Sequence, residues 1–146
     1  MLRPLLDLAF ILSFIASATA AIDTDGRYEW PVVGVIDGDT LKVHLPGLPM
    51  ELQPLKVRVR GVDTPERKGK CAAEKAAAEK AGTFTRQLVE NAQAKERPIY
   101  FSKIDWDKYG GRIDADVAID GRSLADMLVG AGLARRYDGG KRKGWC

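Results

Sequence analysis

The chain is short of the residues that build soft-metal centres. It has one histidine and two cysteines in 146 residues, and no Cys/His group has the spacing of a zinc site. The lone histidine, His44, falls on the polar side of a predicted strand and reads as solvated. Long hydrophobic runs are also missing. The longest, Leu8 to Ala20, is shorter than the ~20 apolar residues of an ordinary membrane span. No Gly/Ser-rich or Pro-rich linker and no internal repeat divides the sequence, which excludes a repeat array and points to one domain. Neither sign of charge dominates: 23 Lys and Arg stand against 20 Asp and Glu, a net charge of +3. That balance suits a polyanionic partner without requiring one.

The N-terminus reads as a leader. Arg3 gives a basic start, the apolar run follows, and Ala18-Thr19-Ala20 is an A-x-A cleavage signal. Residues 1–20 are therefore expected to be a signal peptide and residues 21–146 the mature domain, with an uncleaved anchor as the alternative. No cysteine follows the run, which argues against a lipid anchor. An exported chain, periplasmic or secreted, meets an oxidising compartment, and its even cysteine count predicts a Cys71–Cys146 disulfide. Basic residues crowd the end: Arg135, Arg136, Lys141, Arg142 and Lys143. They read either as a frayed solvated tail or as phosphate contacts.

Hydrophobic patterning predicts five strands and two helices. Tyr28–Ile36 is rich in Val and aromatics. Asp37-Gly38 is a hairpin dipeptide, Gly tolerating positive φ. Thr40–Leu45 alternates Leu41, Val43 and Leu45 against polar residues, and Leu55, Val57 and Val59 alternate with Lys56, Arg58 and Arg60. Pro65 takes the chain out of the third strand. Cys71–Ala94 has helix-forming composition, with Ala77, Ala81, Phe84, Leu88 and Ala92 on one stripe and Gly82 as a point of bending. Pro98–Lys103 and Arg112–Ile119 complete the strands. Ser123, with Asp126 three residues on, starts a second helix that ends at Gly130 or Gly132. Three strands, a helix, two strands and a helix suggest a mainly β, α+β fold: a five-stranded Greek-key barrel of the OB type.

Three motifs carry chemistry. They are Asp37-Gly38-Asp39-Thr40, the string Arg58 to Glu66, and Asp107-Lys108-Tyr109-Gly110-Gly111-Arg112. Asp39 and Asp63 end different strands, and carboxylates suit a hard cation such as calcium. Asp37 reads as a turn residue. Arg58 and Arg112 are planar forks of donors that stay charged at any working pH, fit to clamp a phosphate. Arg60 reads as a surface arginine. Glu66, stiffened by Pro65, is placed to deprotonate or orient a water. Together these are the parts of a phosphodiester hydrolase.

On these motifs the chain resembles the staphylococcal nuclease (thermonuclease) family, from about Val32 to Tyr137. Phe84-Thr85 and Leu88 to Ala92 resemble its first helix, and Gly132-Leu133-Ala134 the segment after its second. The resemblance implies a calcium-dependent endonuclease of DNA and RNA that leaves 3′-phosphate products. By position, Asp39, Asp63 and the Thr64 carbonyl would hold calcium. Glu66 would be the base, and Arg58 and Arg112 would bind the scissile phosphate. Lys108, Tyr109 and Tyr137 would contact the nucleotide. The chain departs from the family at Gly110-Gly111, one glycine more than usual before Arg112, and in a longer Met50–Lys56 loop. It also stops soon after Tyr137, where the family continues into another helix, so the disulfide is expected to replace that helix's anchoring.

The expected enzyme is a monomer acting on single-stranded or locally open nucleic acid, with no stable membrane association after cleavage. The alternative is a non-catalytic OB module that binds single strands or protein. It predicts many stacking aromatics, and only Tyr100, Phe101, Trp106, Tyr109 and Tyr137 are candidates.

Overall fold

The computed structural model describes residues 26–146; the leader expected at residues 1–20 lies outside the described residues. In chain order the elements are β1 (Tyr28–Glu29), β2 (Val32–Asp37), β3 (Thr40–Val43), β4 (Leu55–Val59), β5 (Val62–Asp63), α1 (Ala72–Ala94), β6 (Ile99–Trp106), β7 (Arg112–Ile119), β8 (Arg122–Ser123), α2 (Leu124–Gly130) and β9 (Arg135–Arg136). The main sheet runs β1-β6-β7-β4-β3-β2, with β8 added against β7. It curls into a half-barrel of the OB type, and α1 and α2 pack on it. Every pairing is antiparallel except β4 with β7. A separate two-stranded ladder joins β5 to β9.

Period-two alternation decides which face is inside. On β7, Ile113, Ala115, Val117 and Ile119 are buried and the residues between them are half-buried. Val57 and Val59 do the same on β4. Leu41, Val43, Phe101, Leu124 and Leu128 fill the centre with essentially no exposure. At about 25 cal/mol per Å² of apolar surface, burying each such side chain contributes roughly 1.5–3 kcal/mol.

Four local expectations are corrected. The first predicted strand is two: Pro31 has no N–H to give a ladder, and the chain leaves β6 at Glu29 and joins β3 from Val32. Trp30, at the break, stacks on Tyr28 and Phe101 with ring centroids 5.3 and 5.2 Å apart. The fourth predicted strand continues to Trp106 through an irregularity between Ser102 and Asp105, where Lys103 has φ +49°. The buried stripe of α1 is Glu74, Ala78, Ala81, Gly82, Thr85, Val89 and Ala92, rotated from the expected one; Phe84 and Leu88 are half-buried at its edge. The helix runs unbroken through Gly82.

Gly38 is the fourth. It does not need a positive φ; it needs to have no side chain. A Cβ there would lie 2.7 Å from the Ala81 Cβ and 2.9 Å from the Thr64 Cγ2. Its carbonyl accepts a 2.7 Å bond from the Thr85 hydroxyl, so α1 grips the β2–β3 turn directly.

Gly38→Ala is therefore expected to destabilise the protein by about 1–3 kcal/mol, the usual cost of overpacking. Gly82→Ala, where the nearest atom would be 3.7 Å from the new Cβ, is expected to be neutral or stabilising by up to ~1 kcal/mol through helix propensity. Denaturant unfolding of the two variants checks the contrast; equal losses would refute this account of Gly38.

Candidate active site

Two turns and one strand face bring the candidate residues together. The first turn is Gly38-Asp39 between β2 and β3, closed by the pairing of Asp37 with Thr40. The second is Thr64-Pro65-Glu66 after β5. The Thr64 N–H donates to Asp39 Oδ2 at 3.3 Å, which ties the two turns side by side. Asp39, Asp63 and Thr64 are buried and Glu66 is exposed. Glu66 is presented by Glu74, whose buried carboxylate accepts from the Glu66 N–H at 3.3 Å and the Lys70 N–H at 2.9 Å. Gly69 makes room for it, since a Cβ there would meet the Glu74 side chain at 2.4 Å. Composition alone did not single out Glu74. The available signal was its place three residues after the N-cap Cys71, where a glutamate reaches back over the helix start.

The arginines come from the polar face of the parallel β4–β7 pair. Register sets Lys56 opposite Arg112 and Arg58 opposite Asp114, so Arg112 lies one alternate position from Arg58 on the same face. The extra glycine is absorbed before the strand: Gly110 and Gly111 both take φ +71°, and β7 begins at Arg112. Arg112 Nε donates to Asp107 Oδ2 at 2.8 Å, and Asp107 Oδ1 accepts from the Tyr109 N–H at 2.8 Å. Burial would raise the Asp107 carboxyl, but the Tyr109 N–H and the Arg112 and Arg58 charges hold it below the usual carboxylate range. Arg58 is less satisfied. Its Nη2 is buried without a hydrogen-bond partner and lies 3.9 Å from Asp39 Oδ2. Arg60 is exposed and bonds the Lys103 carbonyl. A cleft of about 970 Å³ beside Arg58 is lined by Arg60, Lys108, Tyr109, Tyr137 and Trp106. His44 is exposed, as read from the sequence.

Negative charge at the first turn is only partly balanced by Arg58, 3.9 Å from Asp39. Burial, with the neighbouring Asp37 charge next, pushes the Asp39 carboxyl up to about 6. Asp37 Oδ1 is itself buried with no hydrogen-bond partner. Asp37 closes the turn, as read from the sequence, and its charge also bears on Asp39. An all-oxygen donor set with uncompensated charge fits a hard divalent cation.

The tail is not frayed. Cys71 and Cys146 form the expected disulfide, and residues 138–146 fold back over the second turn. Arg142 lies 3.3 Å from Asp63 Oδ1 through Nε and 2.8 Å from Glu66 Oε1 through Nη1. Trp145 Nε1 donates to Asp63 Oδ2 at 3.1 Å. Arg135 stacks on Trp145 at 3.7 Å and bonds the Gly144 carbonyl at 2.9 Å. The Tyr137 ring lies under both Arg58 and Arg142, 5.8 and 5.6 Å away. Burial alone would lower the Arg142 guanidinium; Asp63, Tyr137, Glu66 and Asp39 hold it above the ordinary arginine value. Among the described residues the one tight group of metal-type donors is Cys71, Glu74 and Cys146, within 4.8 Å, and the bridge takes both sulfurs. The site carboxylates stand further apart, with Arg142 bridging Asp63 and Glu66. Sequence reading named Arg142 only as one of five basic residues and passed over Trp145. The disulfide was the clue that the segment between them is held.

A sequence profile described as "Staphylococcal nuclease homologue" matches residues 56–144. The chain belongs to the staphylococcal nuclease family. Endonuclease YncB of Bacillus subtilis (strain 168) is 38% identical over 101 residues, which cover 68% of this chain and 44% of that protein. The chain therefore spans less than half the length of this relative. The profile takes in Asp63, Thr64, Glu66, Arg112 and the fold-back segment as far as Gly144, while the Asp37–Thr40 turn lies before it.

The raised Asp39 carboxyl has a consequence in chelator. A folded-state value of about 6 against 3.8 unfolded means that the native state binds the extra proton between those pH values, so this residue costs stability at neutral pH and the cost vanishes as pH falls. Asp39→Asn is expected to be more stable than the parent at pH 7, by up to about 3 kcal/mol at 1.36 kcal/mol per unit. The gap should close toward pH 4. Urea unfolding at both pH values tests this, and a variant less stable at pH 7 would contradict it.

Proposed function

We propose that the chain is a calcium-dependent endonuclease that hydrolyses phosphodiester bonds of DNA and RNA. The observation that carries this reading is the pairing of unmet needs at one place. Arg58 Nη2 is buried with no hydrogen-bond partner, and beside it burial, with the Asp37 charge next, penalises the negative charge of Asp39. A phosphate oxygen answers the first and a divalent cation the second. Family membership and the name of the related endonuclease support the same conclusion.

Asp39, Asp63 and the Thr64 carbonyl would hold calcium, which when bound supplies positive charge against the scissile phosphate. The chain's own groups do the rest. Arg58 gives its free N–H to a non-bridging oxygen, and Arg112, steadied by Asp107, answers the charge that grows as water attacks. Glu66 takes the proton of that water. The phosphorus–O5′ bond breaks, the 5′ oxygen gains a proton, and the products are a 3′-phosphate and a 5′-hydroxyl. The cleft beside Arg58 takes the adjoining nucleotide, with Lys108, Tyr109 and Tyr137 along it. Its open shape suits a single or locally open strand bound by a monomer. Export, with residues 1–20 as the leader, accords with the disulfide, which an oxidising compartment maintains.

One observation favours a second reading, a module that binds strands without cutting. Trp106 and Tyr109 are 71% and 77% exposed beside the cleft, as base-stacking aromatics are. Cleavage of end-labelled single-stranded DNA with calcium, magnesium or chelator separates the two. Calcium-dependent cutting is expected, with termini that a phosphatase acting on 3′-phosphates can open. Glu66→Gln should lose roughly 10²–10⁴-fold in rate and Arg112→Ala about 10²–10³-fold. Binding retained in chelator with no cutting under any condition would establish the binder instead.

A further inference from the structure

We propose that residues 138–146 are an inhibitory strap, in which Arg142 is a resident counter-cation on Asp63 and Glu66 that calcium must displace. The inference rests on the calcium reading above and adds a competitor built into the chain.

The geometry is specific in three respects. First, the strap takes the two carboxylates that the reaction needs: Arg142 spans from Asp63 Oδ1 to Glu66 Oε1. Second, it engages both oxygens of Asp63: Oδ1 is ion-paired with Arg142 and Oδ2 accepts from Trp145 Nε1. A cation that binds Asp63 meets a guanidinium already ion-paired there, and the two like charges compete for one carboxylate. Third, the strap is anchored at both ends. At its start β9 pairs with β5, and the Tyr137 N–H donates to the Gly61 carbonyl at 3.0 Å. At its finish Cys146 is bonded to Cys71, the N-cap of α1. Arg135 on Trp145 braces the middle. A segment closed at both ends returns to its contacts at high effective concentration, so Arg142 competes more strongly than a free guanidinium would.

The same anchoring makes the competition sensitive to redox state. Opening the bridge takes two electrons and two protons. A dithiol reductant supplies them, ends as its own disulfide and leaves thiols at Cys71 and Cys146. The strap then keeps only the β9 end, and Arg142 loses much of its advantage over calcium.

Isothermal titration with calcium chloride, on the oxidised parent and on Arg142→Ala, Lys141→Ala and Cys146→Ser, reads the competition directly. Lys141 is exposed and controls for the loss of one positive charge. Thermal unfolding verifies that each variant folds. Arg142→Ala is expected to bind calcium at least about three-fold more tightly than the parent, through lost competition. Lys141→Ala should shift less, and Cys146→Ser and the dithiol-reduced parent should move in the same direction as Arg142→Ala. Equal or weaker calcium affinity in Arg142→Ala would overturn the strap. A shift in Arg142→Ala but none in Cys146→Ser would overturn the latch and keep the counter-cation. No calcium binding by any of the proteins would overturn the calcium reading itself, and the strap with it.

Discussion

The interaction on which this structure depends is the repulsion among carboxylates drawn into a small, partly buried space. Burial and then the Asp37 charge raise the cost of ionising Asp39, and Asp63 is buried as well. Charges so placed must be met by opposite charge or give up ionisation. Two cations of the chain answer in part. Arg58 stands 3.9 Å from Asp39, too far for a hydrogen bond, and Arg142 lies on Asp63 and Glu66. Neither removes the burden on Asp39. On the proposed reading this imbalance prepares the site for a mobile cation, and the energy that folding forgoes at Asp39 becomes available as binding energy for the ion.

Packing makes the crowding possible. Gly38, without a side chain, lets the β2–β3 turn sit against Ala81 and Thr64, and Thr85 locks it there. Glu74, under the start of α1, fixes the backbone of Glu66 and Lys70. The parallel register of β4 and β7 sets the two arginines on one face. The helix is thus as much a part of the site as the turns, although none of its side chains is proposed to touch substrate. The disulfide at its N-cap links that framework to the strap.

Much of this was legible in the sequence because it is local. Alternation at Leu55–Val59 and Arg112–Ile119 separates inward valines and isoleucines from outward arginines and aspartates without knowledge of the partner strand. The Ser123 cap, with the Asp126 N–H on its hydroxyl, was visible for the same reason. What was hidden depends on contacts between distant segments. The reason for Gly38 lies 43 residues away in Ala81 and 26 away in Thr64, and a turn dipeptide gives no sign of it. The exact stripe of α1 was misplaced because alanines stand on several faces and do not discriminate among them. Arg142 read equally as part of a solvated end or as a phosphate contact, and Trp145 drew no reading, since a basic tail has no periodicity to read. The position of Arg112 after two glycines could not be judged from spacing, because the loop takes up the added residue through positive φ and leaves the strand register untouched.

The central claim is that Asp39 and Asp63 together hold a calcium ion next to Arg58. A crystal structure of residues 21–146 grown with calcium and a deoxynucleoside bisphosphate tests it most directly. The account predicts an ion bound by one oxygen from each of Asp39 and Asp63 and by the Thr64 carbonyl, with a phosphate oxygen on Arg58 Nη2 and the Arg142 guanidinium off Asp63. An ion bound elsewhere, or Asp63 still ion-paired with Arg142 in saturating calcium, would contradict it.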